Sequence, residues 1–408
     1  MPGAGADEQF VTVRALDLAA SLAGIPPAVA GGYLGVLGLL SRVEAPPAAA
    51  ELLGIAVIVP AHNELGNIEA TVCSLLAADY PVECRRIIVL ADNCTDATAD
   101  VARVAGAEVI ERTDHDRRGK GFALTDTFPK VLADPAIDVL MVVDADTIVS
   151  PNLFRAVSAH IQTGADVLQA RYAIRNVDES WRTRLLQIAF AAFHDVRSLG
   201  RERLGVSCGL RGNGMAFSRE ALRKVPHHTE TVIEDLEFGI RLALAGIRVK
   251  YVHEASVFGE MPADAAGSAV QRKRWEGGRV QLRQMFAGPL VRRAFSQRDR
   301  IAADLAMDVL VPPLGQLVGV LVVGLGGSVV LAVVAGGGVV APWVWGVGLG
   351  GVIVHVARGW QLSGTGARGL VDLLAAPFYV GWKLTSKAVR VRRPPTEWVR
   401  TPRSGESG

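Results

Sequence analysis

Asp138-Val-Leu-Met-Val-Val-Asp-Ala-Asp146 decides how the chain is read. Large and β-branched apolar residues fill the run with no helical spacing, which predicts a buried strand. Side chains alternate along a strand, so Asp144 and Asp146 are expected on one side. Two neighbouring carboxylates repel each other unless a positive charge lies between them. The carboxyl end of a strand in an open α/β sheet is also where ligands bind. A divalent metal holding a diphosphate satisfies both conditions. The competing reading is a solvated turn with acidic caps before Ser150-Pro151.

Outward from this run, strands and helices alternate. Ile55–Val59, Arg86–Leu90, Ala107–Ile110 and Val139–Val143 read as strands. Asn67–Ala78, Asp96–Ala105 and Gly119–Leu132 read as helices. That rhythm predicts a parallel sheet with helices on both faces. After Pro151 the pattern loosens. Val167–Tyr172, Gly214–Phe217 and Arg248–Val252 are expected strands. Asp178–Gly200, Glu237–Ala245 and the basic segment Gln271–Phe286 are expected helices.

Three strand tips carry polar residues: Pro60-Ala-His-Asn-Glu64, Ala91-Asp92-Asn93 and the acidic pair. In a parallel sheet such tips converge on one crevice. Asp92 and Glu64 are suited to accept hydrogen bonds from a base or ribose, or else to cap turns. Asp116-Arg-Arg-Gly-Lys120-Gly leads into a helix, and cations at a helix N-terminus suit a phosphate. It lacks Walker A spacing, and a basic surface turn is the alternative. Gly209-Leu-Arg-Gly-Asn-Gly214 either lets backbone approach a ligand or forms a turn. Glu234-Asp235 opens a helix, as a candidate general base or as an N-terminal acid pair. Gln271-Arg-Lys-Arg274-Trp275 sets a planar cation beside a large aromatic ring, suited to phosphate and to the apolar face of a sugar. An interfacial basic helix with a Trp anchor would look the same.

The 408 residues leave room for more than one globular unit. Val309–Ala357 contains no Asp, Glu, Lys or Arg, and its length fits two membrane spans broken near Gly336–Pro342. Leu18–Ser41 is a third candidate. Leu370–Trp382, interrupted by Asp372, is a fourth span or an interfacial helix. Asp7 and Glu8 stand where a cleaved signal peptide would be basic. The net charge of +2 says little, but its distribution says more. Nine Lys/Arg lie between Gln271 and Arg300, and seven between Lys383 and Arg403. Basic clusters beside spans mark the cytoplasmic face and attract anionic headgroups. The four cysteines show no metal or disulfide spacing, as suits a reducing compartment. The expected organisation is an N-terminal membrane segment and linker (1–50), a cytoplasmic catalytic domain (51–290), membrane and interfacial helices (291–390) and a basic tail (391–408).

Taken in order, Pro-Ala-His-Asn-Glu, Ala-Asp-Asn, Arg-Gly-Lys-Gly, Asp-Ala-Asp, Gly-Asn-Gly, Glu-Asp and Gln-Arg-Lys-Arg-Trp are followed by apolar spans. This resembles the membrane-bound branch of the family 2 glycosyltransferases, which includes cellulose, chitin and hyaluronan synthases. The resemblance covers about residues 52–290 and departs from the common Asp-Asp pattern at Ala91. It implies a GT-A fold, a Rossmann-like, mixed but mainly parallel sheet, with transmembrane and interfacial helices added. It implies donor binding by Pro60, Glu64, Asp92, Lys120, Asp144 and Asp146. Mg²⁺ or Mn²⁺ would sit on Asp146, with Asp144 beside the diphosphate. Asp235 would be the catalytic base, and Glu234, Gln271, Arg274 and Trp275 would serve the acceptor and diphosphate. The implied partners are a nucleotide-sugar donor, a UDP-sugar, a glycan or lipid acceptor and membrane lipids, with no nucleic acid. The few spans leave room for an oligomer or separate export components. The implied location is the inner membrane, multi-pass, with the catalytic domain cytoplasmic.

Overall fold

The computed structural model describes residues 4–48, 51–228, 233–261, 265–337 and 339–374, with the side chains of 4–10, 265–277 and 279 outside that description. The basic tail and Leu370–Trp382 beyond Leu374 also lie outside it.

Among the described residues, eight strands form one sheet: β1 (Ile55–Ala61), β2 (Arg85–Asp92), β3 (Glu108–Arg112), β4 (Val139–Val142), β5 (Thr147–Val149), β6 (Val167–Ile174), β7 (Met215–Ser218) and β8 (Val249–Gly259). Their order is β3-β2-β1-β4-β7-β6-β8-β5. The first four are mutually parallel, as the alternating rhythm predicts. β7 then pairs antiparallel with both β4 and β6, and β5 antiparallel with β8, so the second half is mixed. β6 and β8 pair in parallel, with a register irregularity after Ala170.

Period-2 alternation divides the core. Ile55, Val57 and Val59 face one layer with Ile68, Val72 and Phe154. Ala56 and Ile58 face the other with Leu124, Phe128 and Phe238. Pro60 is tolerated in this interior strand because the ladder to β4 runs only from Ile55 to Ile58, so no partner there needs its missing N–H.

Several elements lie beyond the expected ones. β5 and the helices Leu153–Gln162 and Arg300–Leu310 are additional, and β8 runs on past Val252. The expected helix over Asp178–Gly200 starts at Trp181, widens into a π segment at Ala191–Val196 and continues as Arg197–Leu204. It starts there because Ser180 and Thr183 form a reciprocal capping box.

Among the described residues, two helices are long and apolar enough to cross a membrane, Val11–Leu40 and Leu314–Val334. Of the two spans expected in 309–357, the second, Ala341–Ser363, is a helix of 23 residues, but glycines and Arg358 reduce its apolar character. It runs in the same direction as the N-terminal helix. Asp17 accepts the Val340 and Ala341 N–H groups at one end, and Arg358 donates to the Ser41 carbonyl at the other. Glycines permit the close approach. A Cβ on Gly31 would fall 2.2 Å from the Gly348 carbonyl oxygen, and one on Gly35 would fall 2.7 Å from Gly351 Cα. Gly31→Leu should therefore destabilise the bundle by about 1–3 kcal/mol. Gly32→Leu, whose Cβ would meet nothing within 4 Å, should not. Thermal unfolding of both variants in detergent measures the difference.

Candidate active site

The acidic pair lies past the end of β4, in the turn that leads into β5, so the strand itself does not orient it. Burial nonetheless alternates through the turn. Val143, Ala145 and Thr147 are buried while Asp144 and Asp146 are half-buried, so both carboxylates leave the core together. Thr71 Oγ1 anchors the turn by donating to the Ala145 carbonyl (2.8 Å).

Lys120 Nζ donates to Asp144 Oδ1 at 2.5 Å and also to the Gly212 carbonyl. Burial pulls the Lys120 pKa down, but Asp144, Glu234 and Asp235 outweigh it and hold the ammonium above its ordinary value. The glycine-rich loop thus proves to be the clasp of the site. The Asn213 side chain accepts the Asp144 N–H (3.1 Å) and donates to Thr147 Oγ1 (2.8 Å). Gly212, at φ +83°, takes a conformation that other residues rarely adopt, and a Cβ there would also crowd Asp235 Oδ2 at 3.0 Å. Gln169 ties the loop to β6 through the Asn213 carbonyl and the Arg211 N–H.

Glu234 and Asp235 occupy the first turn of the helix Glu234–Leu244. Burial, then the neighbouring Asp235, pushes Glu234 up to about 7 despite Lys120. Burial also raises Asp235, opposed by the Leu236 N–H and by Lys120. A carboxyl raised in the fold keeps its proton where the unfolded chain has lost it. The fold therefore loses stability as pH rises from about 4.5 to about 7, and that loss is complete above the folded value. Glu234→Gln removes this term. Its thermal midpoint should exceed wild type at pH 8 and match it at pH 4.5.

The strand tips form a second group. Asp92, at the end of β2, accepts from Arg112 Nη1 (2.7 Å) and from Asn93 Nδ2 (3.0 Å), both on Oδ1. Arg112 also bonds Asp114 and Asp126. His62 Nδ1 meets the Asp92 carbonyl at 2.8 Å, so that nitrogen carries the proton and donates. Glu64 is half-buried, and its N–H donates to Thr98 Oγ1 (2.9 Å). Asn63 and Asn93 adopt left-handed φ values of 55° and 52°, which turn the chain out of β1 and β2. The helix Lys120–Leu132 joins the two groups, with Lys120 on Asp144 at its start and Asp126 on Arg112 further along.

Arg112 and Gln169 are site residues that the motifs did not indicate, while Asn213 is the polar residue within the glycine-rich motif. Arg112 ends β3 in register with Asp92, so the parallel β2–β3 pairing is the signal that finds it. Gln271, Arg274 and Trp275 lie within the helix Ala265–Gln297, and their side chains fall outside the described residues. That helix packs close to the acid pair further along, where a Cβ on Gly278 would lie 2.3 Å from Ile233 Cγ2.

Among the described residues there is no cluster of three or more His, Cys, Asp or Glu able to hold a metal. Asp144 and Asp146 offer oxygen donors only. That suits Mg²⁺ or Mn²⁺, which take one or two carboxylates and complete their shell with substrate phosphates and water.

A mixed sheet with parallel strand tips, a carboxylate pair past the fourth strand and a second acid pair across the cleft is a GT-A arrangement. A family model described as glycosyltransferase like family 2 matches residues 53–278, more than half of the chain. The chain belongs to that family. It is 31% identical over 237 residues to a beta-monoglucosyldiacylglycerol synthase from Synechocystis, a match covering 55% of this chain and 47% of the relative. It is 28% identical over 250 residues to a poly-beta-1,6-N-acetyl-D-glucosamine synthase from Staphylococcus aureus, covering 58% of each. The chain thus spans about half to three fifths of the length of these relatives. A solved structure of the mannosyltransferase PcManGT from Pyrobaculum calidifontis, in complex with GDP-Man and Mn²⁺, has the same fold. Its TM-score is 0.55 at 16% identity, covering 92% of this chain and 94% of that one.

Proposed function

We propose that the protein transfers a sugar from a nucleotide-sugar, a UDP-sugar by preference, to a hydroxyl of a glycan or glycolipid acceptor, with inversion, at the cytoplasmic face of the inner membrane. The observation that carries this reading is the convergence of Lys120, Asp144, Gly212 and the raised carboxyl of Asp235. Asp235 takes the proton from the acceptor hydroxyl as its oxygen attacks the anomeric carbon. Lys120 faces the negative charge that develops on the departing diphosphate. Asp92, with Pro60 and Glu64, lines the nucleotide end. Glu234, Gln271, Arg274 and Trp275 serve the acceptor and diphosphate side. Mg²⁺ or Mn²⁺, held by Asp146 with Asp144 nearby, would supply charge neutralisation at the diphosphate.

Membrane association is supported by the two apolar helices and by the apolar side chains they expose, such as Val323 and Val333. Polysaccharide synthesis is the first reading of the product. Single transfer to a lipid is the second. It is favoured by the beta-monoglucosyldiacylglycerol synthase among the relatives.

Membrane fractions given a panel of UDP-sugars should release UDP from one of them. Chelation should abolish that release, and Mg²⁺ or Mn²⁺ should restore it. Because Lys120 already engages Asp144, Asp146→Ala should lose metal-dependent nucleotide binding while Asp144→Ala retains part of it. The reverse pattern would exchange the two roles. Sizing of the product separates polymer from single transfer. A chain that binds no donor in the panel would instead be a non-catalytic membrane scaffold.

A further inference from the structure

Where the N-terminal helix and Ala341–Ser363 end together on the side of the catalytic domain, a cavity of about 430 Å³ opens between them. Its lining includes Gly38, Leu39, Arg42, Val354, Ala357 and Arg358. We propose that this cavity binds an anionic phospholipid of the surrounding leaflet, with the phosphodiester between Arg42 and Arg358 and the first methylenes of an acyl chain over Leu39 and Val354. This rests on the membrane reading given above.

The hollow is built rather than incidental. Gly38 and Ala357 contribute little bulk, so the two parallel helices leave a recess at their ends. Arg358 is held in place: Nε and Nη2 donate to the Ser41 carbonyl (3.2 and 2.6 Å), and Nη1 donates to Gln361 Oε1 (3.0 Å). Those bonds leave N–H groups on both terminal nitrogens for a ligand. Arg42 is exposed at the rim. Neither guanidinium has a carboxylate partner among the described residues, although the neighbouring Arg203 pairs with Glu44 (3.2 Å). Two unneutralised cations at the end of an apolar bundle attract a phosphate.

A free phosphate would satisfy the cations but not the apolar part of the lining. Leu39 is 72% exposed, and exposed Ile353 and Val354 continue the apolar surface down the bundle. An acyl chain covers that surface and an inorganic ion does not. At the opposite end of the helix pair, Asp17 accepts the Ala341 N–H and stands three residues from Arg14, so a carboxylate accompanies the cation there.

The test uses the full chain, purified in detergent and equilibrated with vesicles of phosphatidylglycerol or phosphatidylcholine. Retained lipid is then counted by native mass spectrometry. Wild type should retain phosphatidylglycerol in preference, and Arg42→Gln should lower that preference about fivefold, the effect of one basic residue near an anionic surface. Ala357→Leu keeps both cations but fills the recess, and it should lose the retained lipid with an unchanged thermal midpoint. Equal retention of both lipids by wild type, or an unaltered preference in both variants, would overturn the proposal. Displacement of the lipid by millimolar inorganic phosphate would also overturn it, in favour of a free-anion site. Release of the chain from both kinds of vesicle by an alkaline wash would instead sink the membrane reading, and the lipid site with it.

Discussion

Asp235→Asn should reduce sugar transfer by about 10²–10⁴-fold, the usual worth of a positioned general base, while nucleotide binding stays near wild type. The substitution is nearly isosteric, which matters beside Gly212, where a Cβ would already lie 3.0 Å from Asp235 Oδ2. Burial raises the carboxyl, and a higher pKa makes its anion a stronger base near neutral pH. Transfer by the wild type should fall as pH drops below that raised value, because the protonated carboxyl cannot accept the acceptor's proton. The amide variant should show no such limb. UDP release, nucleotide binding by calorimetry and the pH profile together decide the matter. Full turnover by the variant would remove Asp235 from the role of base.

Arg201→Ala should destabilise the protein by about 3–5 kcal/mol, the effect of removing one side of a buried ion pair. Arg201 is fully buried. Its Nη2 lies 2.7 Å from Asp308 Oδ1, and its Nε lies 3.2 Å from Asp304 Oδ2. Tyr33 of the N-terminal helix accepts from Arg201 (2.9 Å) and donates to Asp304 (2.8 Å). The truncation would leave two carboxylates buried with their main cation gone. Arg197, with Nη1 3.0 Å from Asp308 Oδ1, would remain beside them. The combined variant Arg201→Met, Asp304→Asn removes one charge on each side, keeps Asp308 for Arg197 and should recover much of the loss. Chemical or thermal unfolding in detergent reads both variants. The network also reaches toward the site, since Asp308 and Leu236, next to Asp235, line one small hollow of about 30 Å³.

Much of the first half of the fold was legible because β1, β2 and β4 are largely buried on both faces. Unbroken apolar runs such as Val139–Val142 have no other economical reading. β8 was cut short at Val252 because His253 and Glu254 interrupt the apolar pattern. In the fold, Glu254 is paired with the buried His160 (2.7 Å), so the strand continues to Gly259. Helix Arg300–Leu310 was missed for a related reason. Asp304 and Asp308 have the spacing of a solvated helix face, yet they turn inward to meet Arg201. Its start was nonetheless written in the chain, since Asp299 caps the Ile301 and Ala302 N–H groups.

The chain by itself determined the order of the motifs, the parallel strands that carry the first of them and the acid pairs that suit a sugar transferase, because periodicity and local residue chemistry are properties of neighbouring residues. The tertiary structure alone decided that Lys120 closes on Asp144 and Gly212, that Arg112 holds Asp92 and that Arg201 meets Tyr33 of the N-terminal helix. Each of those contacts joins residues far apart in sequence. A charge pair leaves no periodic trace, and it exists only once packing has excluded water and brought both partners to the same place.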